Sequence, residues 1–284
     1  MDPGKPTPHS RRWFLKPSGR LAALAAGGGM LDSTTIEPRW LVLSTPTAVL
    51  DSLPPAWDGV RIAHLTDLHA GWICGLDYLR RVVALTNAAL PDIVVLTGDT
   101  VSRRGAVTPA LTAVLRELKA PEGKFAVLGN HDHDCGAERV TAALREAGMD
   151  VLTNRRRLLD RTGQKLCLAG VDDVRQGRPD LPAVLGAVDP AVPRVLLTHN
   201  PDYAAHMPPR PRVDLMLCGH THGGQIRLPF GPAPWVSLRH REYAEGMVRG
   251  PHCLVYTSRG IGMAYLPIRF NCRPELPVLT LRRA

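Results

Sequence analysis

The 284-residue sequence is poor in several features, and each shortage removes a class of protein. No run of about 18 uninterrupted apolar residues occurs, so an ordinary membrane-spanning helix is not expected. Aromatic residues make up only 5% and charged residues 21% against 44% hydrophobic, which is too little charge for a disordered chain and enough aliphatic material for a sizeable core. The 26 glycines and 26 prolines carry no repeat. A collagen-like chain is thereby excluded, and many turns joining short elements are implied. Nor is there an RNA-binding signature or a basic helix to give the net charge of +9 a nucleic-acid meaning.

The location of that charge matters more than its size. Residues 1–20 hold Lys5, Arg11, Arg12, Lys16 and Arg20 against Asp2, a balance of +4, which leaves a mildly basic +5 over the rest. Nucleic acid is therefore not expected as the main partner. Ser10-Arg11-Arg12-Trp13-Phe14-Leu15-Lys16 resembles the twin-arginine export signal, and a weakly apolar segment follows at 21–31 with no acid between Asp2 and Asp32. Residues 1–36 thus read as a leader and linker, with the chain exported to the periplasm, the cell wall or the outer face of the cytoplasmic membrane. Proteins using this route cross already folded, often with a cofactor in place. Six cysteines in an exported chain invite three disulfides. Cys167 and Cys218, however, lie inside apolar runs that read as buried strands, and no Cys-x-x-Cys occurs, so buried thiols are expected.

Beyond the leader, 40–50 alternates loosely as a strand before Pro54-Pro55. Short apolar runs at 60–65, 93–96, 125–128, 166–169, 195–197 and 213–217 read as buried strands, with late strands near 254–257 and 278–281. Between them, Leu111, Val114, Leu115 and Leu118 repeat at helical spacing behind Thr108 as N-cap and Pro109 at the first position. Val140, Ala143, Leu144 and Ala147 do the same ahead of Gly148, and 76–90 forms a helix stopped by Pro91. The expected fold is α/β (α+β): two stacked mixed β-sheets flanked by helices, an αββα sandwich, as a single domain over 37–284.

Polar residues fall directly after five of these strands: Asp67 and His69, Asp99, Asn130 and His131, His199, and His220 and His222. Ligands of α/β sheets collect outside the carboxyl ends of strands, so groups spread from 67 to 222 would converge on one pocket. Carboxylate, amide and imidazole donors suit Mn, Fe or Zn rather than Ca or Mg cages. One tetrahedral zinc needs three or four protein ligands, and the seven candidates other than His131 are used economically by two ions sharing a carboxylate.

The ordered series Asp67-x-His69, Gly98-Asp99, Gly129-Asn130-His131-Asp132, His199 and Gly219-His220-x-His222 resembles the calcineurin-like metallophosphoesterase family over about 58–284. The tail, through Gly219-His220-Thr221-His222-Gly223-Gly224-Gln225, Ser258-Arg259-Gly260-Ile261-Gly262 and 268–275, looks most like its exported bacterial YkuE and YaeI branch. The resemblance implies that Asp67, His69, Asp99 and His222 hold one divalent metal ion and that Asn130, His199 and His220 complete a second site, with Asp99 bridging. It also implies that His131 contacts the phosphate and protonates the leaving group while a metal-activated hydroxide attacks a phosphomonoester or phosphodiester. The other expectations are a pyrophosphatase acting on a nucleotide-linked lipid precursor at the membrane, and a non-catalytic metal-binding scaffold, which would have lost ligands. Where many members read Gly-Asp-x-x-Asp, this chain has Ser102, which bears on the orientation of the catalytic histidine. Arg259 and Arg269 stand as phosphate clamps or surface charges. The Pro-rich segment 228–235, with Trp235, stands as a rigid surface loop or as one that faces substrate or touches a membrane.

Overall fold

The computed structural model describes residues 29–71, 73–102 and 107–284; the twin-arginine segment at 10–16 lies outside them. The first half of the domain supplies β1 (Val42–Ser44), β2 (Thr47–Leu50), β3 (Arg61–Leu65), β4 (Ile93–Thr97), β5 (Gly123–Val127) and β6 (Asp150–Val151). The second supplies β7 (Arg155–Arg161), β8 (Gln164–Gly170), β9 (Arg194–Leu197), β10 (Leu215–Cys218), β11 (Gly246–Arg249), β12 (Leu254–Thr257) and β13 (Glu275–Arg283). One sheet has the order β1-β13-β3-β4-β5-β6 with β2 also on β13, and the other β11-β12-β10-β9-β8-β7. Both are mixed: β3 to β6 run parallel while β13 is antiparallel to β3, and β8, β9, β10 and β12 run parallel between antiparallel β7 and β11. This is the expected fold class.

Alternation along each buried strand builds three apolar layers. Ile93, Val95 and Val127 face Leu166, Leu168, Leu197 and Leu217 between the sheets. Val94, Leu96 and Ala126, one residue out of step, pack on α1 (Leu76–Ala88), α2 (Pro109–Arg116) and a helix at Ala137–Glu146. Cys167, Leu196, Met216 and Cys218 face the other way, onto short helices at Leu181–Leu185 and Tyr203–His206. All six cysteines are buried as thiols.

Sequence and structure differ at several elements, among them strands β6 and β11 and the short helices at Leu181–Leu185 and Tyr203–His206, which the sequence does not announce. The strand expected over 40–50 is two, because Thr45-Pro46 interrupts it; both pieces pair with β13, at 275–277 and 280–283. α1 stops at Ala88, and Leu90 turns the chain with φ 48° ahead of Pro91. β7 was not expected at all: Arg155–Arg161 is an edge strand with five charged residues and mostly exposed side chains, so it offers no apolar run to read.

Candidate metal centre

The ends of β3, β4, β5, β9 and β10 deliver all eight expected residues to one hollow, each of them at least 91% buried. Asp67, His69, Asp99, His220 and His222 all have left-handed backbone, with φ between 43° and 72°. Such conformations cost of order 1–3 kcal/mol each and persist only where the surroundings dictate them. Here main-chain bonds between strand tips dictate them: Asp67 N donates to Gly98 O and His69 N to Asp99 O, both at 3.0 Å. A Cβ at Gly98, where φ is +89°, would lie 2.5 Å from Gly129 N and 2.8 Å from His199 Nδ1. Glycine before Asp99 is therefore a packing requirement of the centre.

Each carboxylate has one oxygen fixed by the chain and one aimed inward. Asp67 Oδ2 accepts from Thr66 Oγ1 at 2.8 Å and His220 N at 2.9 Å, while Oδ1 lies 3.3 Å from His222 Nε2 and 3.8 Å from His69 Nε2. Asp99 Oδ1 accepts the His131 amide at 2.9 Å, and its Oδ2 stands 3.6 Å from His69 Nε2 and 3.3 Å from His199 Nε2. Asp67, His69 and His222 form one group able to hold a metal ion, and Asp99, His199 and His220 another. Asp99 also joins His69 and His131 in a third such group, which makes it the hinge between them.

The donors fit cations on three counts. Asp67 Oδ1 and Asn130 Oδ1 are buried with no hydrogen-bond partner, a costly state for a carboxylate or amide oxygen unless a cation faces it. His69 Nε2 and His222 Nε2 are 3.0 Å apart, as are His220 Nδ1 and His199 Nε2, and ligands about 2.0–2.1 Å from one ion stand about 3 Å from each other. His199 Nδ1 donates to the Thr97 carbonyl at 2.8 Å, which leaves its Nε2 as the inward donor.

The electrostatics agree. Burial pushes the Asp67 and Asp99 carboxyls up, but His222 and His199 foremost outweigh it and hold both well below the usual range. Burial holds His69 neutral, with its pKa lowered to about 3 despite Asp99, whereas Asp99 and Asp67 overcome burial at His199 and raise it to about 10. Two buried anions thus demand positive charge.

Asn130 and His131 open the short helix Asn130–Asp134 after Gly129, whose Cβ would collide with the Asp99 carboxylate. The His131 ring meets His69 edge to face at 4.9 Å and Tyr265 at 5.9 Å, and its Nε2 is 4.0 Å from Asp99 Oδ2. Ser102 Oγ donates to the His69 carbonyl at 2.9 Å, so the departure from the family pattern sits behind a candidate ligand and not behind His131. Asp132, to which the sequence assigned no role, fixes the helix: it is fully buried, Oδ2 accepting from Gly129 N at 3.0 Å and Oδ1 from Val101 N at 3.2 Å.

Arg269 is not a phosphate clamp. It is fully buried, and its guanidinium donates to the carbonyls of Arg259, Gly260, Gly262 and Cys272, tying together the loop that passes behind Asp67. Arg259 faces Glu275 at 3.4 Å. Ser33 of the linker and Glu37, the first residue of the domain, are buried against the same loop, Ser33 O accepting from Arg269 N at 2.9 Å and Glu37 Oε2 from Asn271 N at 2.8 Å.

Beside the candidate ligands lies a cavity of about 280 Å³ walled by Ile226, Pro234, Trp235, Tyr265 and Leu266. Trp235 on the Pro-rich loop therefore faces the site. Tyr265 and Leu266 were not foreseen; no motif marks them, and they are placed by Gln225, whose Oε1 accepts from Ala264 N at 2.6 Å and whose Nε2 donates to Leu266 O at 3.3 Å. No helix among the described residues is long and apolar enough to cross a membrane.

Residues 60–224 match the calcineurin-like phosphoesterase family. The chain is 36% identical over 280 residues to "Uncharacterized metallophosphoesterase YkuE" of Bacillus subtilis, covering 96% of this chain and 98% of that protein. It is 33% identical over 278 residues to "Phosphodiesterase YaeI" of Escherichia coli, covering 96% and 99%. Among solved structures it is similar to TT1561 of Thermus thermophilus, with a TM-score of 0.45 and 14% identity over 72% of this chain and 90% of that one.

Proposed function

The chain belongs to the calcineurin-like phosphoesterase family, and from that premise we propose that it hydrolyses a phosphodiester at a dinuclear centre held by Asp67, His69, Asp99, Asn130, His199, His220 and His222. That it is a metallophosphoesterase follows from the family; the diester preference, the pair of ions and the roles below are proposed. The observation that supports two ions is the Asp99 carboxylate, with one oxygen pinned by the His131 amide and the other facing both His69 and His199. A single ion takes three or four protein ligands and leaves no reason for a carboxylate between two such groups. Divalent ions, of the Mn, Fe or Zn kind that suits these donors, would supply a water acidic enough to attack phosphorus near neutral pH and a charge clamp on the phosphoryl oxygens.

The chain's own groups do the rest. Asp67 and Asp99 present fixed oxygens, the Thr97 carbonyl keeps His199 turned inward, and His131 protonates the leaving-group oxygen from the wall that it shares with Tyr265. Trp235, Tyr265 and Leu266 receive an apolar arm of the ester and shield the attack from bulk water. A scaffold that binds metal without catalysis would be expected to lack ligands, and none of the seven is missing here. Hydrolysis of an aryl phosphodiester by the manganese-loaded protein tests the proposal; no turnover across mono-, di- and pyrophosphate esters would refute it.

One observation favours a second substrate reading, the pyrophosphate link of a lipid-linked nucleotide met at a membrane surface. Trp235, Tyr265 and Leu266, which wall the cavity, are 60%, 73% and 53% exposed, an apolar rim suited to peripheral contact with lipid. Export by the twin-arginine route would bring the enzyme to such a surface. Fractionation of cells making the Arg11→Lys/Arg12→Lys variant tests the route: retention in the cytoplasm is expected, and unchanged location would refute it.

A further inference from the structure

A second and larger cavity, of about 720 Å³, adjoins the first and shares Trp235 and Ser237 with it as a common wall. Its lining is more polar, although Val174, Tyr203, Val236 and Leu238 also contribute to it. Where the first is walled by apolar side chains, this one is lined by Arg175, Arg239, His206 and Asn200, with Asp202 as its one acid. The Asp202 carboxylate is already engaged, Oδ1 accepting from His240 N at 2.9 Å and Oδ2 from Arg239 N at 3.0 Å. Asn200, next in the chain to His199 and 1% exposed, uses Oδ1 to accept the Asp202 amide, which leaves its NH₂ without a protein partner. Among the described residues, neither arginine is paired with a carboxylate. Arg175 is held in place by donating Nη2 to Ser237 O at 2.7 Å and to Ser237 Oγ at 3.1 Å.

We propose that this cavity is an anion subsite for the same centre: Arg175 and Arg239, with the Asn200 amide, bind a second phosphoryl group carried on one arm of the substrate, while the reacting phosphorus lies at the candidate metal ligands and the other arm lies against Trp235 and Tyr265. The inference rests on the phosphoesterase reading and adds the class of substrate, an ester with an anionic arm. Guanidinium groups match phosphate oxygens in pairs, and two arginines against one acid whose oxygens are occupied make a cavity that discriminates by charge.

The test uses the full manganese-loaded chain and three p-nitrophenyl phosphodiesters matched in length, whose second arm ends in a hydroxyl, a trimethylammonium or a phosphate monoester. The phosphate arm should exceed the hydroxyl arm by about 10-fold in kcat/KM, through KM and less at high salt, as one charge-assisted contact provides. The trimethylammonium arm should rank last. Arg175→Ala/Arg239→Ala should bring the three together, the paired Lys substitutions should restore part of the ranking, and Arg282→Ala, at a distant ion pair with Asp58, should leave it as it was. Equal turnover of the three arms by the wild type, or a ranking that survives the double variant, would overturn the subsite alone. Turnover of none would overturn the phosphoesterase reading and the subsite with it.

Discussion

At the scale of the residue, Asp99 and His131 separate two kinds of contribution. Asp99 faces both groups of nitrogen donors, so Asp99→Asn should lower bound metal and cut activity by at least about 10²-fold together. His131→Ala should leave metal content unchanged while kcat falls about 10²-fold, as expected for a lost general acid. Metal analysis and kinetics on the same samples check both, and an emptied site in His131→Ala would contradict the role given to it. His64 serves stability instead. It is fully buried, its Nε2 paired with Thr97 Oγ1 at 2.7 Å, and burial lowers its pKa to about 4, against the ordinary 6.5 that it recovers on unfolding. The unfolded chain therefore takes up a proton between those values, and stability falls as pH drops through that window. Denaturant titrations should show the wild type losing about 2 kcal/mol more than His64→Gln between pH 7 and pH 5. All eight residues assigned to the centre were legible because each directly follows an apolar run. Asp132 and Tyr265 were not, because their roles arise from main-chain amides and a loop that only the folded chain brings near.

Among elements, the strand tips form the site and the 258–272 loop secures it. Ile261 N donates to Thr66 O at 3.1 Å and Gly262 N to Asp67 O at 2.7 Å, so the loop holds the tip of β3, and Arg269 holds the loop. Arg269→Met should leave four buried carbonyls short of a donor and destabilise the protein by about 3 kcal/mol or more, seen as a lower denaturation midpoint. Arg269→Lys should recover little, since one ammonium cannot reach carbonyls disposed around a planar fork. A stability change under about 1 kcal/mol would show that the loop stands without it. The sequence left Arg269 as a phosphate clamp or a surface charge near a turn. Its burial was hidden because the partners are backbone carbonyls, which leave no trace in residue type. β7 was illegible for the complementary reason: an edge strand whose side chains face solvent needs no apolar pattern, and its ladder to β8 is made by the main chain.

For the whole molecule, alternation within each strand decides which of three apolar layers a side chain joins, and the common direction of the parallel strands brings their carboxyl ends together. That is why a fold class and a site could be read together: the apolar runs imply stacked sheets, and the polar residue after each run marks the rim at which they open. The cavities at that rim were out of reach, since loops distant in sequence, at 174–179, 200–206, 224–239 and 264–266, form them jointly. The most direct test of the centre is an anomalous difference map from crystals of the manganese-loaded protein. Two peaks per chain are predicted, one beside Asp67, His69 and His222, the other beside Asn130, His199 and His220, with the Asp99 carboxylate between them. A single peak, or peaks away from these residues, would contradict the dinuclear centre.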